Sequence, residues 1–235
     1  MNSQMNSQMR NQMRNQMKYQ CNKGRTMPNS RSRQQGFSLI ELVIVIVILG
    51  LLAATAIPRF LNVTDDAEDA SLDGVAGGLA TAVGFVRAQW EVDGRNNTNV
   101  VLDGTTISLD DRFGFPTSLT SGTAIVSVTG MSNDSCQEVF QSVLQSAPRN
   151  VVFNTDARSA RYTVRVGNGQ GGTVVGNDGT NVGGVDLCLY HQVASLTLNQ
   201  NNGIPSPAPS LTAPSGAKGI TYNPATGQVI TFEVP

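Results

Sequence analysis

Residues Phe37–Ile57 read FSLIELVIVIVILGLLAATAI, an apolar run interrupted by a single charge, Glu41. As a helix rising about 1.5 Å per residue, this stretch spans about 31 Å, the thickness of a bilayer's hydrocarbon core. No other segment constrains the chain as strongly. Seven of the sixteen Lys/Arg (Arg10, Arg14, Lys18, Lys23, Arg25, Arg31 and Arg33) precede the run, with none of the seventeen Asp/Glu. The formal charge of −1 therefore sums a basic leader and a remainder that carries nine basic against seventeen acidic side chains, a net of −8. By the positive-inside rule the leader stays cytoplasmic and the residues after Ile57 are exported.

Three readings of this segment compete. A secretory signal peptide is one, with Ala54-Thr55-Ala56 as an A-x-A cleavage site. A plain single-span anchor is the second, and it leaves Glu41 as a cost of roughly 2.5–3.5 kcal/mol if the side chain lies deep. The third rests on Arg33-Gln34-Gln35-Gly36-Phe37-Ser38-Leu39-Ile40-Glu41, a basic leader ending in Gly, then Phe, then Glu at the fifth position of the apolar segment.

This pattern resembles the class III signal of type IV pilins and type II secretion pseudopilins, specifically over Gly36–Phe60 and only generally beyond. The resemblance implies cleavage after Gly36 by a prepilin peptidase that also methylates the new N-terminus, Phe37. It implies a partner for Glu41 as well: the amine of a neighbouring subunit's Phe37, a cation that removes much of the penalty of a carboxylate in hydrocarbon. Gly50 and Pro58 match the family positions between which the helix can lose order in a filament. Pro58 alone predicts a kink, and Gly50 lowers helix propensity by about 1 kcal/mol relative to Ala, with close helix packing as its other reading.

Helical periodicity resumes beyond Pro58. Leu72, Val75, Leu79, Ala82, Val86 and Trp90 form an apolar stripe, Asp66, Asp69 and Asp73 share another face, and Asp93-Gly94 signals a stop. Gly74, Gly77, Gly78 and Gly84 weaken this helix intrinsically, so tertiary packing must hold it. The spacing of Asp65, Asp66, Glu68, Asp69 and Asp73 does not fit an EF-hand. These carboxylates are expected to form a solvated face that meets Arg59 or a basic patch on a neighbouring subunit. Further along, Asp134–Ala147 has helical spacing ended by Pro148. Arg161–Val166 and Val185–Val193 alternate like strands, and Gly219–Tyr222 and Gln228–Val234 flank a hairpin turn at Asn223–Gly227. Ile204–Ala213 reads as a proline-rich extended loop.

The expected fold class is α+β: a long N-terminal helix kinked at Pro58 and packed on a C-terminal antiparallel sheet, the type IV pilin architecture. The expected divisions are 1–36, a cleaved leader; 37–57, the transmembrane and polymerising half of the helix; 58–95, the half packed on the head; and 96–235, the exported head. Cys21 leaves with the leader. Cys136 and Cys188 remain as an even pair in an exported domain, which reads as a disulfide. Two buried thiols, or a zinc site with His191, are the other possibilities, and a strand places Cys188 and His191 on opposite faces.

Enzymatic readings are weak. His191 is the only histidine and no G-x-S-x-G elbow accompanies it. Gly167-x-Gly169-x-x-Gly172 has a dinucleotide spacing but leads into Thr173–Gly179, which is not a helix. No enzyme activity, cofactor, metal or nucleic-acid partner is expected.

Ala56-Ile57-Pro58-Arg59-Phe60-Leu61 with Asp65-Asp66, and Phe113-Gly114-Phe115-Pro116, resemble mannose-sensitive haemagglutinin (MSHA) pilins; Val86-Arg87-Ala88-Gln89-Trp90-Glu91 is similar to their minor, biogenesis-associated pilin. This resemblance implies a filament for surface attachment and adhesion. Its partners would be other pilin subunits, the prepilin peptidase, the inner-membrane pilus assembly machinery and the membrane itself. A pseudopilin and a membrane-anchored periplasmic binding module are the alternatives. In the leader, Met1, Met5, Met9, Met13 and Met17 recur in a polar low-complexity tract. Translation from Met27 is expected, leaving the leader MPNSRSRQQG, and peptides from residues 1–26 in unprocessed protein would refute it.

Overall fold

The computed structural model describes residues 37–95, 97–119 and 126–235. The leader, with Cys21, Met27 and Gly36, lies outside the described residues. The chain divides into two compact units, Met1–Ile57 and Pro58–Pro235. Helix α1 (Leu39–Val92) begins in the first and contains Pro58.

In the first unit every described residue is exposed, and the apolar side chains from Leu39 to Ile57 touch no core. The helix is long and apolar enough to cross a membrane. Within this apolar segment Thr55 Oγ1 donates to the Leu52 carbonyl at 2.9 Å, so that polar group is satisfied within the helix.

The second unit packs residues of α1 against the head. Leu72, Leu79, Val86 and Trp90 are buried as the stripe requires, but Ala76 and Val83 complete the buried line, while Val75 and Ala82 are only partly buried at its margin. Successive residues turn 100°, so burial is centred on the Ala76/Val83 side of the stripe. The stop at Asp93-Gly94 is a Schellman arrangement: Arg95 N–H donates to the Trp90 carbonyl at 3.1 Å and Gly94 N–H to the Glu91 carbonyl at 3.2 Å, with Gly94 at φ +88°.

Three sheets follow. β1 (Asn99–Leu102), β2 (Thr105–Leu109) and β3 (Pro116–Leu119) form an antiparallel meander. β4 (Asn150–Val152), β5 (Tyr162–Gly167), β8 (Leu187–Gln192), β9 (Lys218–Tyr222) and β10 (Val229–Glu233) form a five-stranded sheet in the order β10-β9-β8-β5-β4. β6 (Val174–Val175) and β7 (Asn181–Val182) form a small ribbon in the glycine-rich region, where no helix follows Gly172. The five-stranded sheet is antiparallel, as expected, except at its β4 edge. β4 runs parallel to β5, with Asn150 opposite Tyr162, because residues 153–161 return the chain to its starting end. Arg161 N–H donates to the Arg149 carbonyl at 2.7 Å and closes that crossover. The final hairpin pairs Val229 with Tyr222 across the expected turn.

Helix α2 (Asn133–Val143) starts at a capping box formed by Ser132 and Ser135. It stops before the expected Ala147. Leu144 turns extended and packs against the buried cluster, close to Gly78 of α1. Val139, Phe140 and Val143 join Val164, Tyr190, Ile220 and Tyr222 of the sheet and the α1 stripe in one core.

Candidate functional site

Phe37 and Ser38 precede α1, and Glu41 lies in its first turn. Ser38 Oγ accepts the Glu41 backbone N–H at 3.2 Å, and the Ser38 carbonyl accepts the Leu42 N–H at 3.2 Å. Ser38 is therefore the N-cap and Glu41 the third helical residue, in the S-x-x-E order of a capping box. A helix start leaves unpaired N–H donors and a partial positive charge, and an acidic side chain there is favourable by about 0.3–1 kcal/mol. Around them Phe37 is 84% exposed and Leu39 82%. The segment thus presents an anion among unpartnered apolar groups, one turn from the position of Phe37. Gly50 lies further along the same helix with no atom within 4 Å of a Cβ built on it, and Pro58 opens the second unit. Phe37 and Glu41 therefore lie together at the start of α1, and Gly50 lies further along the same unit. The structure adds Ser38, whose role was written in the sequence as S-x-x-E.

In the head, Cys136 of α2 and Cys188 of β8 are joined by a disulfide with Cα atoms 5.3 Å apart. Both are buried, and Tyr190 donates its hydroxyl to the Cys136 carbonyl at 2.9 Å. Cys188 is thereby committed, and the zinc alternative with His191 falls. Among the described residues no group of three or more His, Cys, Asp or Glu is placed to hold a metal ion.

Two motifs singled out in the sequence, Val86–Glu91 of α1 and Phe113–Pro116, meet in space. Arg87 bonds Glu91 through Nε at 3.0 Å and Nη2 at 2.6 Å, donates from Nη1 to the Phe113 carbonyl, and stacks over the rings of Trp90 and Phe115 at 4.6 and 5.1 Å. Trp90, fully buried, donates to the Asn97 carbonyl at 2.8 Å. Gly114 adopts φ +71°, and a Cβ there would sit 2.3 Å from the Trp90 ring, so only glycine fits. The co-occurrence of these motifs is a packing requirement. The acidic face of α1 behaves differently from the expectation at one position: Asp69 meets Lys218 of its own head at 2.5 Å rather than Arg59.

Two buried carboxylates hold loops together. Asp110 accepts from Arg112 at 2.6 and 2.9 Å and from the backbone of Val128 and Arg112, both at 3.1 Å. Burial pushes its carboxyl up, but these donors together outweigh that and hold it below the usual carboxylate range. Asp186 accepts from Met131 N–H at 3.0 Å and Gly169 N–H at 2.8 Å, which ties the glycine-rich turn to the α2 entry.

His191 is fully buried, its ring edge-on to Phe232 at 5.3 Å, and neither ring nitrogen has a hydrogen-bond partner among the described residues. Desolvation, aided by the charge of Arg165, lowers its pKa from 6.5 to about 4. A depressed pKa for a base means that the unfolded chain takes the proton first. Stability is therefore complete above the unfolded pKa and is lost as pH falls from 6.5 toward about 4. By pH 5 the loss is about 2 kcal/mol. Urea unfolding of the wild-type chain at pH 7.5 and 5 is expected to show it, and His191→Leu is expected to remove most of it. An equal pH dependence in both proteins would refute the assignment.

A helix with an exposed apolar N-terminal segment, followed by α2 and mixed β-sheets closed by a disulfide, defines the class: this is an α+β, type IV pilin-like architecture. The comparisons place the chain more closely. Residues 31–57 match the prokaryotic N-terminal methylation motif, which type IV pilins carry. The relatives it matches are type IV pilins and a type II secretion pseudopilin. It is 47% identical over 57 residues to the type IV narrow pilus major component PilA5 of Thermus thermophilus, covering 24% of this chain and 49% of that one. It is 33% identical over 94 residues to the type IV major fimbrial protein FimA of Dichelobacter nodosus, covering 40% and 56%. It is 40% identical over 53 residues to the type II secretion system core protein G of Pseudomonas aeruginosa, covering 23% and 37%. The chain thus spans about half the length of the first of these relatives, and less of the last. No solved structure matches it.

Proposed function

We propose that this chain is a structural subunit of a type IV pilus. The leader is removed between Gly36 and Phe37, Phe37 is methylated, and residues 37–57 hold the subunit in the inner membrane with the head on the periplasmic side. Subunits then leave the bilayer side by side through the same apolar surface. The observation that carries this reading is the matched motif at residues 31–57 running into a helix whose apolar side chains from Leu39 to Ile57 are exposed, with Glu41 in its first turn. Glu41 pairs with the Phe37 amine of the next subunit and fixes the stagger between them. Gly50 and Pro58 mark the stretch where the helix yields in the filament. The head motifs resemble those of MSHA pilins, so the filament serves surface attachment. Residues 58–95 anchor the head, and residues 96–235 present it.

A second reading is favoured by one observation, the similarity to a core protein of type II secretion. In that case the subunit builds a short periplasmic pseudopilus. Filaments sheared from cells and probed for this chain separate the two. Recovery in long surface fibres supports the pilus. Recovery only when a secretion system is present supports the pseudopilus, and strict retention in the membrane overturns both in favour of an anchor.

A further inference from the structure

The helix that carries the exported chain starts abruptly. Phe37 and Ser38 are not helical, Leu39 is, and Ser38 Oγ takes the Glu41 N–H at 3.2 Å. Apart from Gly36, the sequence on either side gives no other reason for a stop at this point. Leu39, Ile40 and Leu42 follow, and Gln34 and Gln35 precede with good helix propensity; Gly36 is the one weak former. Without a cap, a helix that already has many turns extends at little cost, because only its nucleus is expensive.

We propose that Ser38 is a positioning residue for processing: by capping α1 it keeps Phe37, on the amine side of the bond that the peptidase cuts, out of the helix. The inference rests on the proposed cleavage after Gly36. In that hydrolysis water adds to the Gly36 carbonyl carbon and the C–N bond to Phe37 breaks. The hydroxyl stays on the new Gly36 carboxyl group, and a water proton goes to the Phe37 amine. Attack requires an accessible carbonyl. One more helical turn would engage the Gly36 carbonyl with the Ile40 N–H, the i to i+4 bond of an α-helix, and shield the carbon that water must reach. Ser38 prevents this by taking a donor of the first turn for its own side chain. That fixes its backbone outside helical angles, as an N-cap requires. The nearby Glu41 reinforces the same start, since an acidic third residue favours the helix beginning there.

The test uses the full-length chain in membranes, incubated with purified prepilin peptidase, with loss of the leader followed over time. Replacing a capping Ser by Ala costs about 1 kcal/mol of helix-start preference, so Ser38→Ala is expected to be cleaved about fivefold more slowly. Ser38→Thr and Ser38→Asn, which cap as well but differ in size and shape, are expected to restore the wild-type rate. Recognition of a small side chain by the peptidase would give the opposite order, with Ala tolerated and Asn not. Cleavage of Ser38→Ala at the wild-type rate, or Thr and Asn variants as slow as Ala, would overturn the proposal while leaving the cleavage site in place. Wild-type chain left uncut after Gly36 would overturn the processing reading, and this inference with it.

Discussion

Replacing Cys136 and Cys188 together by alanine is expected to lower the stability of the head by about 4 kcal/mol, the loop-closure value for two residues 52 apart in sequence. The effect is large because the bridge closes a long loop. The bridge joins α2 to the centre of the five-stranded sheet, between a short helix and a strand that meets neighbours on both sides. Much of the intervening chain is loop, including the crossover of residues 153–161 and the glycine-rich ribbon around β6 and β7. Such segments lose the most freedom on folding, and a covalent link removes part of that freedom from the unfolded chain beforehand. Trp90, the only tryptophan, is buried in the same core and reports unfolding directly. Urea titration of the detergent-solubilised chain, read by Trp90 fluorescence, measures the change. A loss below about 1 kcal/mol would show that the reduced head is held by packing alone.

The second large effect concerns Glu41. Glu41→Val is expected to leave the chain processed and in the membrane, since the apolar run only lengthens. Its incorporation into sheared filaments is expected to fall by at least about tenfold, the equivalent of losing 1.4 kcal/mol per subunit contact. Glu41→Gln separates two roles of this residue. Glutamine serves at the third position of a capping box as glutamate does, but it carries no charge to meet an amine. If pairing with Phe37 of the next subunit drives entry, Glu41→Gln fails nearly as badly as Glu41→Val. Normal incorporation of either variant would sink the pairing. Rescue by Gln alone would reassign Glu41 to capping the helix.

Much of this architecture is legible in the sequence because its signals are local. The apolar run, the recurrence of Leu72, Leu79, Val86 and Trp90, the alternation in β5 and β8, and the turn at Asn223–Gly227 each declare an element without reference to anything distant. What stays hidden depends on partners. Val75 and Ala82 sit on the apolar stripe as squarely as Ala76 and Val83, and only the position of the sheet decides which pair is buried. β4 is three half-buried residues, and its parallel pairing follows from where the crossover lands. β1 to β3 are four or five residues each, with Pro116 opening the last, and they become strands through one another. α2 ends at Val143 because Leu144 finds a place against the core, four residues before Pro148 could stop it. At the N-terminus the opposite holds. Ser38 and Glu41 stand at the spacing of a capping box, so the cap can be read directly once Glu41 is considered for its backbone position as well as for its charge.

Processing, anchoring and assembly all depend on the identity of the first residue of the exported chain. Intact-mass and N-terminal peptide analysis of the protein recovered from membranes and filaments measures it. The expected result is a chain beginning at Phe37 with a methylated amine, eight net negative charges on its side chains and no residue of the leader. A chain beginning at Ile57, or one that keeps residues before Phe37, would contradict cleavage after Gly36.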